Sequence, residues 1–105
     1  MKDVAVVASC RTGIAKATHG VPMAVHVMRE AIARAGIEAG EIDDGILGGG
    51  LLEGATGHNI ARNAALYVGL RVGVPGITVN HHCGSGILAA SMLATRIATA
   101  VWLQH

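Results

Sequence analysis

Apolar positions along this chain follow two rhythms, separated by glycines and polar turns. Val4 to Ala8 is a continuous Val-rich run, the pattern of a strand covered on both faces. After a polar loop from Ser9 to Gly20, Ala24, Val27, Met28, Ala31 and Ala35 recur at spacings of three and four, which predicts an amphipathic helix closed by a left-handed Gly36. Ile37 to Asp44 is acidic and turn-like, and Gly45 to Leu47 reads as a second strand stopping in Gly48, Gly49 and Gly50. From Asn59 the helical spacing returns in Ile60, Ala61, Ala64, Ala65 and Val68, with Gly69 placed to end the helix. Pro75 and Gly76 mark a turn, Ile77 to Val79 form a third strand, and Cys83 follows at its end. Residues 84 to 101 are apolar or small on every face, the mark of a helix buried in a larger protein.

Strands alternating with helices predict an α/β fold with right-handed crossovers and a largely parallel sheet, whose ligands gather at the carboxyl ends of the strands. No internal repeat, low-complexity stretch or linker divides the pattern, so the chain reads as part of one domain. Composition narrows the picture. A chain of 105 residues buries only about 65% of the surface that its unfolded form exposes. The apolar half of this one holds no Phe, one Trp and one Tyr, which leaves small aliphatic side chains to pack closely. Eight basic and seven acidic residues are spread along it, and no basic footprint for nucleic acid or an anionic membrane emerges. Arg96 and several Ser, Thr and Gly interrupt residues 84 to 101, which argues against a membrane-spanning helix. Two cysteines and no leader-like opening point to a reducing cytoplasm.

The chemistry converges on Cys83. The segment from Val79 to Gly86 sets this cysteine on a tight strand-to-helix turn among small neighbours. Backbone N–H groups and the helix dipole at such a place favour anionic sulfur, and can lower a thiol pKa from about 8.5 into the range of roughly 3.5 to 7.5. The same N–H groups, that of Cys83 included, can donate to an oxyanion when a carbonyl is attacked, so the bare residues suit covalent catalysis. They suit equally a buried cysteine that acts as a small hydrophobe. Zinc binding by His81, His82 and Cys83 is disfavoured, because consecutive residues on an extended chain point to opposite sides. Gly48 to Gly50 lacks the spacing of a phosphate loop and reads as a tight turn beside the site. Arg11 and Arg62 could contact substrate but read rather as solvated or structural ion-pairing arginines, His26 and His58 read as surface or satisfied core histidines rather than ligands, and Cys10 as inert packing.

Asn80-His81-His82-Cys83-Gly84-Ser85-Gly86-Ile87 closely resembles the acyl-enzyme motif of the thiolase family, in which Asn, two variable residues and Cys precede a small residue, Ser and Gly. Cys10 to Lys16 resembles the family's Arg-Thr-Pro/Gly segment, and Gly48 to Glu53 with Gly57, Asn59, Ala61 and Arg62 resembles its glycine-rich stretch and Asn-x-x-Arg helix. The resemblance implies a thiolase-like three-layer α/β/α fold, with residues 1–105 as a truncated N-terminal domain lacking the C-terminal domain. It implies that Cys83 is the acyl-thioester nucleophile of a ping-pong acyl transfer between 3-ketoacyl-CoA or acetyl-CoA and coenzyme A. It further implies coenzyme A thioesters as substrates without a permanently bound cofactor, and a homo-oligomer with a dimer contact near Ile77 to Asn80.

The family's activating His, its second Cys and its Asn-containing oxyanion motif come from later sequence, and His81 and His82 do not replace them. The chain alone is therefore expected to be inactive, and with an all-apolar last helix to be a marginal or aggregating monomer. The loop between Gly20 and Met23 is shorter than the family's. Val101 to His105 departs from the acidic turn and buried strand that follow in the family, which reads as premature termination or an incomplete gene fragment. The competing readings are a non-catalytic thiolase-like remnant or interaction subunit, separable by complementation in trans, and a small redox or metal protein, separable by elemental analysis and thiol counting.

Overall fold

A computed structural model describes residues 1–14 and 20–99. Helix α1 spans Gly20–Ala35, strand β1 Gly45–Gly48, helix α2 Ile60–Val68, strand β2 Gly76–Val79 and helix α3 Ser85–Thr99. The periodicity located these five elements within a few residues, and both glycine stops are real: Gly36 and Gly69 adopt φ of +69° and +95°, where a side chain would be strained. Helix α1 begins earlier than its apolar spacing implies, since the supposed loop from Gly20 to Met23 is its first turn and accommodates Pro22 there. Ala15 and Lys16, part of the segment after the first apolar run, lie outside the described residues, as do residues 100–105 with the end of the last helix and the divergent Val101 to His105.

Strands β1 and β2 pair in parallel, Gly45 with Gly76 through Gly48 with Val79. Alternation along the strands sends the two faces to different helices. On Gly76 a Cβ would lie 2.6 Å from the Arg62 backbone of α2, and the Thr78 hydroxyl accepts the Ala61 N–H at 3.1 Å, so the Gly45, Leu47, Gly76 and Thr78 face looks to α2. The opposite face, with Ile46, Gly48, Ile77 and Val79, looks to α3, because a Cβ on Gly48 would fall 2.3 Å from the Ser85 backbone. Helix α1 packs against α2. The result is the expected α/β/α layering around a two-stranded sheet.

The first expected strand does not form. Residues 1–14 carry no regular structure, and Val6 and Val7 are 87% and 75% exposed. An apolar run becomes a strand only where a neighbour supplies a hydrogen-bonded ladder. Here the segment is held at separate points instead: the Lys2 N–H donates to the Ala98 carbonyl at 3.0 Å, the Arg34 guanidinium to the Ser9 carbonyl at 3.0 Å, and the Cys10 thiol to the Val27 carbonyl at 3.3 Å.

The core sits chiefly on α2. Ile60, Ala61, Ala64 and Ala65 are buried, joined by Val25 from α1 and by Leu70 and Val74 from the loop that leads into β2. Ile32, Ala39, Ile42 and Val68 pack around the cluster of Ala65, Leu70 and Val74. Helix α3 buries only Ser85 and Ala89, while Ile87 on its first turn is 78% exposed.

Candidate active site

The chain leaves β2 at Val79 and enters α3 at Ser85, so five residues turn it from strand to helix. Asn80 and His81 lead into a single turn of 3₁₀ helix over His82–Gly84. His82 is forced to φ +46°, a conformation that side-chain-bearing residues rarely adopt and that concentrates at functional turns. Cys83 follows it in mid-turn, two residues ahead of α3, exposed and outside any disulfide. Cys83 thus stands on a strand-to-helix turn, as the sequence led one to expect, and it is exposed rather than buried.

Backbone hydrogen bonds fix this turn. The Asn80 side-chain oxygen accepts the His82 N–H at 2.9 Å, and the Gly84 N–H donates to the His81 carbonyl at 2.9 Å. Buried Ser85 accepts the His81 N–H at 2.8 Å and donates to the His82 carbonyl at 2.7 Å. Cys83 itself is exposed, presented to solvent from a backbone that other residues hold. A Cβ on Gly84 would come within 2.7 Å of the His81 ring, so a larger residue there would displace that side chain.

The glycine run lies beside the turn, as its sequence suggested. The Gly49 N–H donates to the Val79 carbonyl at 3.0 Å, prolonging the ladder, and a Cβ on Gly50 would sit 3.6 Å from the His82 carbonyl oxygen. Next to it opens a cavity of about 870 Å³, walled by α1, by β1 with residues 48–52, and by Gly86, Ala89, Ala90 and Leu93 of α3, with Ala8 and Cys10 at its margin.

Arg62 proves structural in a way the sequence did not indicate. Among the described residues it forms no ion pair; its guanidinium donates to the Val72 and Val74 carbonyls, both at 2.7 Å, and clamps the loop before β2. Asn59, at the left-handed N-cap of α2, donates to the Gly76 carbonyl at 2.8 Å and accepts the Thr78 hydroxyl at 2.7 Å. These two residues anchor the strand that ends at the Cys83 turn. Asp44, with its side chain 1% exposed, pairs with Arg96 and ties α3 to the start of β1. No spacing rule announces such carbonyl clamps or Ser85, since they arise from side chains closing on backbone that is remote or irregular.

Comparisons with known proteins agree with this geometry. A family model described as thiolase, N-terminal domain, matches residues 4–101. An acetyl-CoA acetyltransferase of Pseudomonas aeruginosa is 40% identical over 103 residues, which are 92% of this chain and 26% of that protein. An acetyl-CoA acetyltransferase of Clostridioides difficile is 38% identical over 91% of this chain and 94% of its own length. Of the Pseudomonas aeruginosa protein and of relatives from Bacillus subtilis and Syntrophomonas wolfei, the chain spans about a quarter of the length. Among solved structures, the Bacillus anthracis acetyl-CoA acetyltransferase superposes with a TM-score of 0.70 at 38% identity, over 77% of this chain and 20% of that one. The Acat5 thiolase from Ascaris suum in complex with coenzyme A does so with a TM-score of 0.70 at 29% identity, over 75% and 20%.

Proposed function

The chain belongs to the thiolase family by its N-terminal domain, and from that premise we propose that it carries the acyl-accepting half of a thiolase-type acyltransferase site, with Cys83 as nucleophile. One observation carries the reading: residues Asn80 to Gly84 form a hydrogen-bonded turn that presents an exposed thiol ahead of α3. In the proposed reaction the Cys83 sulfur attacks the thioester carbonyl of acetyl-CoA. A new sulfur–acyl bond forms, the bond to the coenzyme A sulfur breaks, and coenzyme A leaves as the thiol after taking a proton. With a 3-ketoacyl-CoA the sulfur attacks the 3-keto carbon, the C2–C3 bond breaks, and protonation of the departing enolate gives acetyl-CoA. The Cys83 backbone N–H is proposed to donate to the oxyanion.

Coenzyme A is the proposed acyl carrier, in keeping with the Ascaris suum thiolase that binds it, and a homo-oligomer the proposed assembly. The proposal concerns the acyl-accepting half of the reaction, formation of the Cys83 acyl thioester.

The test is intact-mass spectrometry after incubation with acetyl-CoA or acetoacetyl-CoA, with Cys83→Ser alongside. A single acetyl adduct confined to Cys83 and absent from the variant is expected. An adduct on Cys10, or equal labelling of the variant, would sink the assignment.

A further inference from the structure

We infer that Ser85 is a positioning residue for the nucleophile: its buried hydroxyl locks the backbone immediately before Cys83 and so aims the thiol. The inference rests on the reading of Cys83 as acyl acceptor and extends it to a residue that does not touch the acyl group.

Ser85 is 3% exposed. Its single oxygen is used twice, accepting the His81 N–H and donating to the His82 carbonyl. Those two groups bracket the one peptide unit that runs from His81 into His82, the residue at φ +46°. A left-handed histidine relaxes toward ordinary backbone unless its surroundings hold it, and relaxation there would rotate the next residue, Cys83.

Ser85 cannot drift with the turn, because Gly48 of β1 packs on its backbone so closely that a Cβ would come within 2.3 Å. The strained turn is thus referenced to the sheet through Ser85. Asn80 secures the His82 N–H from the other side. Covalent catalysis needs the attacking atom in a near-attack position, and small misplacements are costly, so the clamp bears on acyl transfer more than on simple thiol exposure.

The test uses Ser85→Ala together with the isosteric pair Ser85→Thr and Ser85→Val, which match each other in packing and differ in the hydroxyl. Three rates are read: hydrogen exchange of the His81 amide, acetylation of Cys83 by acetyl-CoA, and alkylation of Cys83 by iodoacetamide, which needs only an accessible thiol. In Ser85→Ala and Ser85→Val, acetylation should fall about 10- to 100-fold. His81 exchange should rise about tenfold as its hydrogen bond is lost, and alkylation should stay within about twofold. Ser85→Thr should keep both exchange and acetylation within about threefold of the parent chain.

Equal acetylation of the Thr and Val variants, or unchanged His81 exchange without the hydroxyl, would overturn the inference. So would a loss of hydrogen-exchange protection that extends from His81 to Ala64 and Ala65 of α2, which is the signature of general unfolding. A parent chain that takes no acetyl group while His81 exchange responds as stated would instead count against Cys83 as acyl acceptor and leave the clamp standing.

Discussion

Helices α2 and α3 are built from the same small apolar residues, yet they sit in the protein very differently. Helix α2 has nine residues, four of them buried, a side-chain cap at Asn59 and a left-handed glycine at its end. Helix α3 has fifteen residues, two of them buried, and turns Ile87 and part of Ile97 to solvent. Burial in α2 is continuous with α1 and with the loop of Leu70 and Val74, so that side of the sheet closes on itself. The α3 side is held at points: the Gly48 contact, the buried Ala89 and the Arg96 pair with Asp44. Apolar composition alone therefore did not decide burial; the availability of a facing layer did.

The sharpest way to separate the two sides is Gly48→Val. Every rotamer of the new side chain begins from a Cβ inside the Ser85 backbone, and no flexible group can yield there. Overpacking of this kind should cost about 3 kcal/mol or more. It should strip hydrogen-exchange protection from the α3 amides while Ala64 and Ala65 of α2 keep theirs. Uniform loss of protection would show instead that the two sides form one cooperative unit.

The complementary perturbation is Arg62→Met, which retains the aliphatic stem and removes both hydrogen bonds to the Val72 and Val74 carbonyls. Bonds from a charged donor contribute more than neutral ones, and a net loss of about 2 kcal/mol is expected in urea denaturation. Here the damage should centre on α2 and β2. A loss below about 0.5 kcal/mol would place the closure of that side in apolar packing alone.

These contrasts also show what was legible in the sequence. Helices α1 and α2, strands β1 and β2, the glycine stops and the position of Cys83 follow from local periodicity and turn chemistry, which act over a few residues. The thiolase relationship was legible because the Asn80 to Ile87 segment is contiguous. Val4 to Ala8 failed as a strand because a ladder is a long-range property: the run has the right residues, but no strand among the described residues pairs with it. Arg62 was expected to be solvated or structural, but its partners were not legible for the same reason, since the carbonyls it binds lie ten and twelve residues away in a loop without regular spacing. Ser85 escaped notice although it stood in the recognised segment, because a serine that closes on irregular backbone leaves no periodic trace.

The smallest expected effect is the most telling about α3. Ile87 lies on the first turn of the helix, 78% exposed and two residues beyond Ser85. If that face stays in water, Ile87→Ser should change stability by less than about 0.5 kcal/mol and leave the α3 amides as protected as before. An exposed apolar face also invites association, so the same substitution should reduce concentration-dependent self-association in sedimentation. A destabilisation above about 1 kcal/mol that grows with protein concentration would mean that Ile87 is covered in solution by a second copy. The asymmetry between α2 and α3 would then belong to the single chain and vanish in the assembly, because the layer that α3 lacks within its own sheet would be supplied from outside.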